Sequence, residues 1–359
     1  MKLSFKSGLI VLVLILLALL AVVVYNKTSS SGKLNGGVTK DEPKVLPKIK
    51  IGYRLTNMDA ILEVLAYEKG YFKEQGIDAE LMVMETADAI PTAVASGQVD
   101  VVIAGPPRFY GPIEKGAPVK IIAPSGNTPS ELFVRPNSGI NTFKDLEGKR
   151  ISFGTGGSTN ELLLRYVLTK ENVDLNKVKF LTIDNQYLHS MLMEKKSLDA
   201  IFIKDAAFAD AARKLGAVVM PGWVNNNYEK NNTAAIIAIN TNYLNSNEAV
   251  VRSFFLAIIE ANRYLKNNLD VSSAIIANYY KDKTNGVVNM KPEEFAGFIT
   301  GGKLSYPIWD DMTLVAEMAR ISGELGITKR VLTRDELFDF RFKNLLESAQ
   351  NEIYGSTKN

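Results

Sequence analysis

The feature that most constrains this chain is a recurring pair: a short apolar, β-branched run, then a stretch with helical spacing. Val99–Ala104 (VDVVIA) shows the first half of the pair. Its apolar character on both faces marks a strand buried on two sides. Gly105, Pro106 and Pro107 then stop it sharply. Strands are expected at 49–53, 77–84, 99–104, 119–123, 132–135, 150–153, 178–183, 200–203, 217–220 and 234–240. Helices are expected at 60–73, 87–96, 160–170, 186–194 and 208–215, with mostly helical chain from Glu248 to about Ser348. Such alternation predicts an α/β protein with parallel sheets.

The pattern restarts after Phe143, and its character changes near residues 130 and 240. Two α/β lobes follow, the second inserted in the first: 49–130 with 240–345, and 131–239. Two near-equal lobes joined by two crossings imply a hinge and a cleft. In open α/β sheets a ligand sits beyond the carboxyl ends of the strands. Those ends carry Arg54 and Leu55, Gly105 to Arg108, Gly154 to Thr159, and Lys204 to Ala206.

The chain begins differently. Lys2 and Lys6 precede an uncharged apolar run of 17 residues, Leu9 to Tyr25. Residues 1–25 read as a membrane anchor or a signal peptide, and no clean small-x-small cleavage site follows. Residues 26–48 are polar and aperiodic, a flexible linker unable to offset its ordering entropy. The larger part is therefore expected outside the cytoplasm. Asn26 and Asn231 begin N-x-T triplets, relevant only in a host that glycosylates exported chains.

Composition excludes several functions. The net charge is +3 with no basic run, which argues against nucleic acid. There is no cysteine, so disulfides, thiolate metal sites and cysteine nucleophiles are ruled out. The one histidine, His189, has no cysteine or acid at ligand spacing and reads as structural. A Ser-His-Asp triad would need it, and no G-x-S-x-G elbow is present. No cofactor is indicated, and no enzyme activity is expected.

The segment Gly154–Lys170 (GTGGSTNELLLRYVLTK) looks like a glycine-rich turn entering a helix. It fails as a dinucleotide loop, because Asn160 stands where a later glycine is wanted. It fails as a phosphate loop for want of a lysine. Ser158 and Glu161 form a capping-box pattern that fixes the helix start. The free N–H groups of such a start favour an anion. Gly157, Ser158 and Thr159 are therefore candidates for a small anion or ligand oxygen, with plain capping as the alternative. A second helix start is expected at Gly105-Pro106-Pro107-Arg108, since proline suits the first helical turn. Arg108 could present a fixed fork to a carboxylate or sulfonate, or be a surface arginine. Arg54 stands in the same position of choice. Asp205 could accept from a ligand amine or cap the next helix. Trp223, Trp309 and Tyr306 could wall the cleft or pack in the core.

Several blocks together resemble one family. AYEKGYFKEQGIDAELMVMETADAIPTAVASGQVDVVIAG (66–105), FKDLEGKRISFGTGGSTNELLLRYVL (143–168) and SLDAIFIKDAAFADAARKLG (197–216) resemble periplasmic-type solute-binding proteins of ABC importers. The branch is the nitrate/sulfonate/taurine group, which includes pyrimidine-precursor binders related to thiamine synthesis. The resemblance spans about 49–345. It implies a bilobal type II binding-protein fold, monomeric in use, that closes on a solute. The solute passes to a membrane permease driven by a cytoplasmic ATPase. It implies ligand contacts at Tyr53–Leu55, Gly105–Pro107, Ser158, Thr159 and Asp205. The chain departs from the pattern at Ala206, where proline is frequent, and in the bulk of Pro106, Pro107 and Arg108. It also lacks the lipid-bearing cysteine, in whose place the apolar run would tether it. An anionic solute is the expected ligand, and a pyrimidine-like heterocycle or a sensor ectodomain are the alternatives.

Overall fold

The computed structural model describes residues 45–55, 59–128, 130–154, 156–183, 185–204, 206–226, 233–286, 288–302 and 304–355. The apolar run and most of the linker lie outside these residues. Among the described residues no helix is long and apolar enough to cross a membrane.

Among the described residues ten strands form two five-stranded sheets. They are β1 (Lys48–Tyr53), β2 (Asp78–Val83), β3 (Val101–Ala104), β4 (Val119–Asn127), β5 (Glu131–Val134), β6 (Arg150–Ser152), β7 (Lys179–Leu181), β8 (Ala200–Ile203), β9 (Val218–Val219) and β10 (Thr233–Asn240). The first sheet has the order β2-β1-β3-β10-β4 and the second β7-β6-β8-β5-β9. Each contains three parallel strands in the order of a βαβ pair. Each also contains an antiparallel strand beside them: β10 against β3 and β4, β5 against β8 and β9. The expectation of parallel sheets is thus corrected to mixed sheets. The physical reason is the double crossing. A strand arriving from the other sheet enters from the shared edge and runs against its neighbours.

Because β10 pairs Ile237 with Ile103 and with Ala123, it belongs to the first sheet. The return crossing therefore precedes Thr233, where the sequence reading placed it at 240. The long helix expected over 60–73 divides into Ile61–Lys69 and Tyr71–Glu74. Gly70 sits between them at φ 78°, a left-handed conformation that suits glycine and ends the first helix.

Helices cover both sheets. Ile61–Lys69, Glu248–Asn267 and Leu269–Lys283 pack on one face of the first, burying Ile61, Leu65, Phe254, Phe255 and Ile276. A second apolar core is continuous from β10 through β5, β6 and β8, and is bridged by Met312, Val315, Met318 and Ala319 at the helix Thr313–Glu324. Tyr110 ties its own helix to this bridge, donating to the carbonyl of Val315 at 2.8 Å. Trp223 is a core residue rather than a cleft wall. It is fully buried, packs on Phe143 and Phe202, and donates from Nε1 to the Ser130 carbonyl at 2.7 Å. It thus anchors the chain where it passes from β4 to β5.

Candidate functional site

Each sheet ends its parallel strands in a turn that starts a helix. From β3 the chain runs through Gly105 into the helix Pro107–Glu114, with Pro106 as N-cap and Pro107 at its first position. The two prolines have no N–H to offer. The next two donors are used locally: Arg108 N–H bonds the Gly105 carbonyl at 3.4 Å, and Phe109 N–H bonds that of Pro106 at 3.1 Å. This helix start therefore has little backbone capacity for an anion. Its positive charge comes from the Arg108 side chain, which is largely buried and faces Asp88 at 3.5 Å. Burial lowers the Arg108 pKa, and Arg54 acts in the same direction; Asp88 and Asp59 oppose them. Asp88 is fully solvated. A carboxylate in that position holds a guanidinium only weakly, so Arg108 can exchange it for a ligand.

From β6 the chain turns through Gly154 and Gly157, both with positive φ, into the helix Thr159–Lys170. Ser158 caps it, its Oγ accepting from Glu161 N–H at 3.3 Å. The Glu161 carboxylate accepts from Gly157 N–H at 2.8 Å and pairs with Arg165 at 2.9 Å. Asn160 donates to the Phe153 carbonyl at 3.2 Å. The helix start is thus supplied with an anion from its own chain. Capping, one of the two readings open from the sequence, is present: Ser158 Oγ takes the Glu161 N–H. Thr159 opens the helix as its first residue.

Charged groups converge elsewhere. Asp59, in the loop after β1, acts on Arg108 of the first sheet and on Lys204 at the end of β8 in the second. Burial draws the Lys204 ammonium down to about 7, with Asp59 opposing. Beneath Asp59 lies Glu63, wholly buried, with neither carboxyl oxygen hydrogen-bonded. Burial raises its pKa to about 8, and Asp59 adds to the rise. Tyr306 and Tyr280 complete this floor, their phenols pushed well up by burial and by the same two carboxyls. Tyr53, at the end of β1, meets Tyr279 hydroxyl to hydroxyl at 2.5 Å.

Arg54 and Asp59 thus act on Arg108, and Asp59 acts on Lys204 as well. Leu55 packs against the first-sheet core. Trp309 goes elsewhere: it stands edge-on to Phe340 at 5.3 Å, with Lys343 above its ring. Asp205 lies outside the described residues. Asp59 and Glu63 are additions that the sequence reading did not make. Glu63 carried a signal, since every neighbour from Ile61 to Ala66 is apolar and the helix segment has no polar face to hold it. No group of three or more His, Cys, Asp or Glu among the described residues could hold a metal.

The two mixed sheets, their double crossing and the site at their carboxyl ends define a periplasmic-binding-protein fold. The aliphatic sulphonate binding protein SsuA of Escherichia coli has it too, with a TM-score of 0.67 at 17% identity, over 82% of this chain and 92% of that one. Residues 57–270 match the family model described as NMT1/THI5 like, and the chain belongs to that family. It is 27% identical over 241 residues to a Brucella abortus protein named as a binding protein, covering 66% of this chain and 73% of that protein. A Haemophilus influenzae protein named for thiamine biosynthesis is 27% identical over 110 residues, 30% of this chain and 34% of its own.

Proposed function

We propose that this protein is the solute-binding component of an ABC importer, working outside the cytoplasm and holding a small organic anion between its two sheets. The observation that carries the reading is that Asp59 acts both on Arg108, which also feels Arg54, and on Lys204 from the opposite sheet. An anion placed there draws cations from both sides, so binding would favour closure. The weak pairing of Arg108 with a solvated carboxylate supports exchange for a ligand. The self-capped helix at Ser158 moves the anion's recognition from backbone N–H groups to side chains. In this reading the solute leaves unchanged, residues 9–25 tether the protein to the membrane, and a permease with its ATPase supplies the energy.

The test is ligand-dependent melting of refolded protein, since a bound ligand raises the melting temperature by mass action. A panel of nitrate, taurine, alkanesulfonates, a phosphonate and a hydroxymethylpyrimidine should give its largest shift with a sulfonate. Asp59 and the proton-bearing Glu63 favour one second reading, an amine-bearing heterocycle. A shift with the pyrimidine alone would establish that reading and remove the anion.

A further inference from the structure

A cavity of about 600 Å³ lies between elements of the two sheets. One wall is formed by Asp210 and Lys214, the other by Val288, Met290, Glu294 and Phe298. The first wall belongs to the second sheet. Its helix, Ala206–Lys214, buries Ala209 and Ala212 in one core with Ile201 and Ile203 of β8. The second wall belongs to the first sheet. Its helix, Pro292–Thr300, buries Phe295 in the core that holds Ile276 and Tyr280, and Phe298 packs on the same core. A change in the angle between the sheets therefore changes the width of this cavity.

The charges on the two walls are complementary. Lys214 and Glu294 are both exposed, and neither makes an ion pair with another described residue. The Glu294 carboxylate accepts from the N–H of Lys291, at the start of its own helix, at 3.1 Å. Asp210 is held by Arg213 of its own helix at 3.4 Å, and like charge bars it from Glu294. Lys214 is thus the group on the first wall that suits Glu294. At physiological salt an exposed pair is screened beyond about 8 Å, so it acts as a contact rather than as a long-range pull. Val288, Met290 and Phe298 keep part of their surface open. Narrowing the cavity would take that apolar surface out of water.

We propose that Lys214 and Glu294 are a latch between the two halves, meeting as an ion pair when the cavity narrows over Val288, Met290 and Phe298. The inference rests on the reading above that the halves close on a solute. It assigns the two residues to holding the closed state, not to recognising the solute.

The chain has no cysteine, so introduced thiols report alone. The full-length double variant Lys214→Cys/Glu294→Cys is oxidised with copper phenanthroline and its free thiols are counted. A disulfide needs Cβ atoms about 3.5–4.5 Å apart, so it forms only if the walls meet. It should form in this pair and not in Lys214→Cys/Glu293→Cys, because Glu293 is exposed but does not line the cavity. No disulfide in the Glu294 pair, or an equal yield in the Glu293 pair, would overturn the latch. Calorimetric titration with hexanesulfonate is the second measurement. Lys214→Glu and Glu294→Lys should each weaken binding about two- to fivefold, and the two together should restore it. Unchanged affinity in both single variants would also overturn the latch. Failure of hexanesulfonate to bind the wild type would overturn the anion reading and leave the latch to the disulfide result.

Discussion

The two sheets share a strand order, but they equip their carboxyl ends in opposite ways. The first ends β3 in two prolines and puts its charge on Arg108, largely buried and loosely paired. The second ends β6 in a glycine-rich turn whose donors are met by Ser158 and by the carboxylate of Glu161. The turn that looks more like an anion site in sequence is the one that already holds a carboxylate of its own chain. A helix start binds an external anion only if the chain leaves it unsatisfied, and that depends on a side chain four residues on.

The largest expected effect lies on the first-sheet side. Glu63 keeps its proton in the folded protein up to about pH 8, while the unfolded chain loses it near 4.5. Between those values the unfolded state binds fewer protons, so folding stability declines as pH rises from 4.5 to 8. The decline is on the order of a few kcal/mol. Glu63→Gln should remove it, and melting curves of both proteins at pH 5 and pH 8.5 will show the gap widening toward the higher pH.

Next comes Arg108→Met. Loss of a charge-assisted hydrogen bond is worth about 1.5–3 kcal/mol, roughly 10- to 100-fold in sulfonate affinity. The fold should be kept, since Asp88 is solvated and needs no partner.

Lys204 sharpens the contrast by pH. Its ammonium is lost near 7, so affinity for an anion should fall as pH goes from 6 to 9. Glu63, ionising near 8, pushes the same way. The profile is therefore measured in Glu63→Gln, where Lys204→Met should level it.

The smallest effects belong to the second helix start. Ser158→Ala should cost about 1 kcal/mol of stability through the lost cap, with less change in affinity than Arg108→Met. Glu161→Ala should release Gly157 N–H and modestly improve anion binding. Improvement equal to the loss in Arg108→Met would break the comparison.

Much of the architecture was legible in the residues. β8 coincides with its expected range, and β3 and β10 lie where apolar runs of the right length stand between turn residues. Strand direction was not legible. The run at 233–240 reads the same in either orientation, and only the crossing between sheets decides it. Gly70 was read through because EKGYFK keeps helical spacing across it. At the site, strand ends identified Arg54, Arg108 and Lys204 as neighbours of a cleft, but the sequence held no measure of how fully Ser158 and Glu161 would satisfy their own turn. Asp59 was hidden because its place is set by a distant contact, its carbonyl accepting from Ser125 Oγ at 2.9 Å. Trp309 looked like a cleft aromatic until the C-terminal segment, through Phe340 and Lys343, claimed it.

The central claim is that cations from both sheets hold one anion. A double-mutant cycle with Arg108→Met and Lys204→Met, titrated with hexanesulfonate at pH 6.5, tests it most directly. Each single change should weaken binding about tenfold, with a double loss that is not the sum of the two. Unchanged affinity in either single variant would contradict the account.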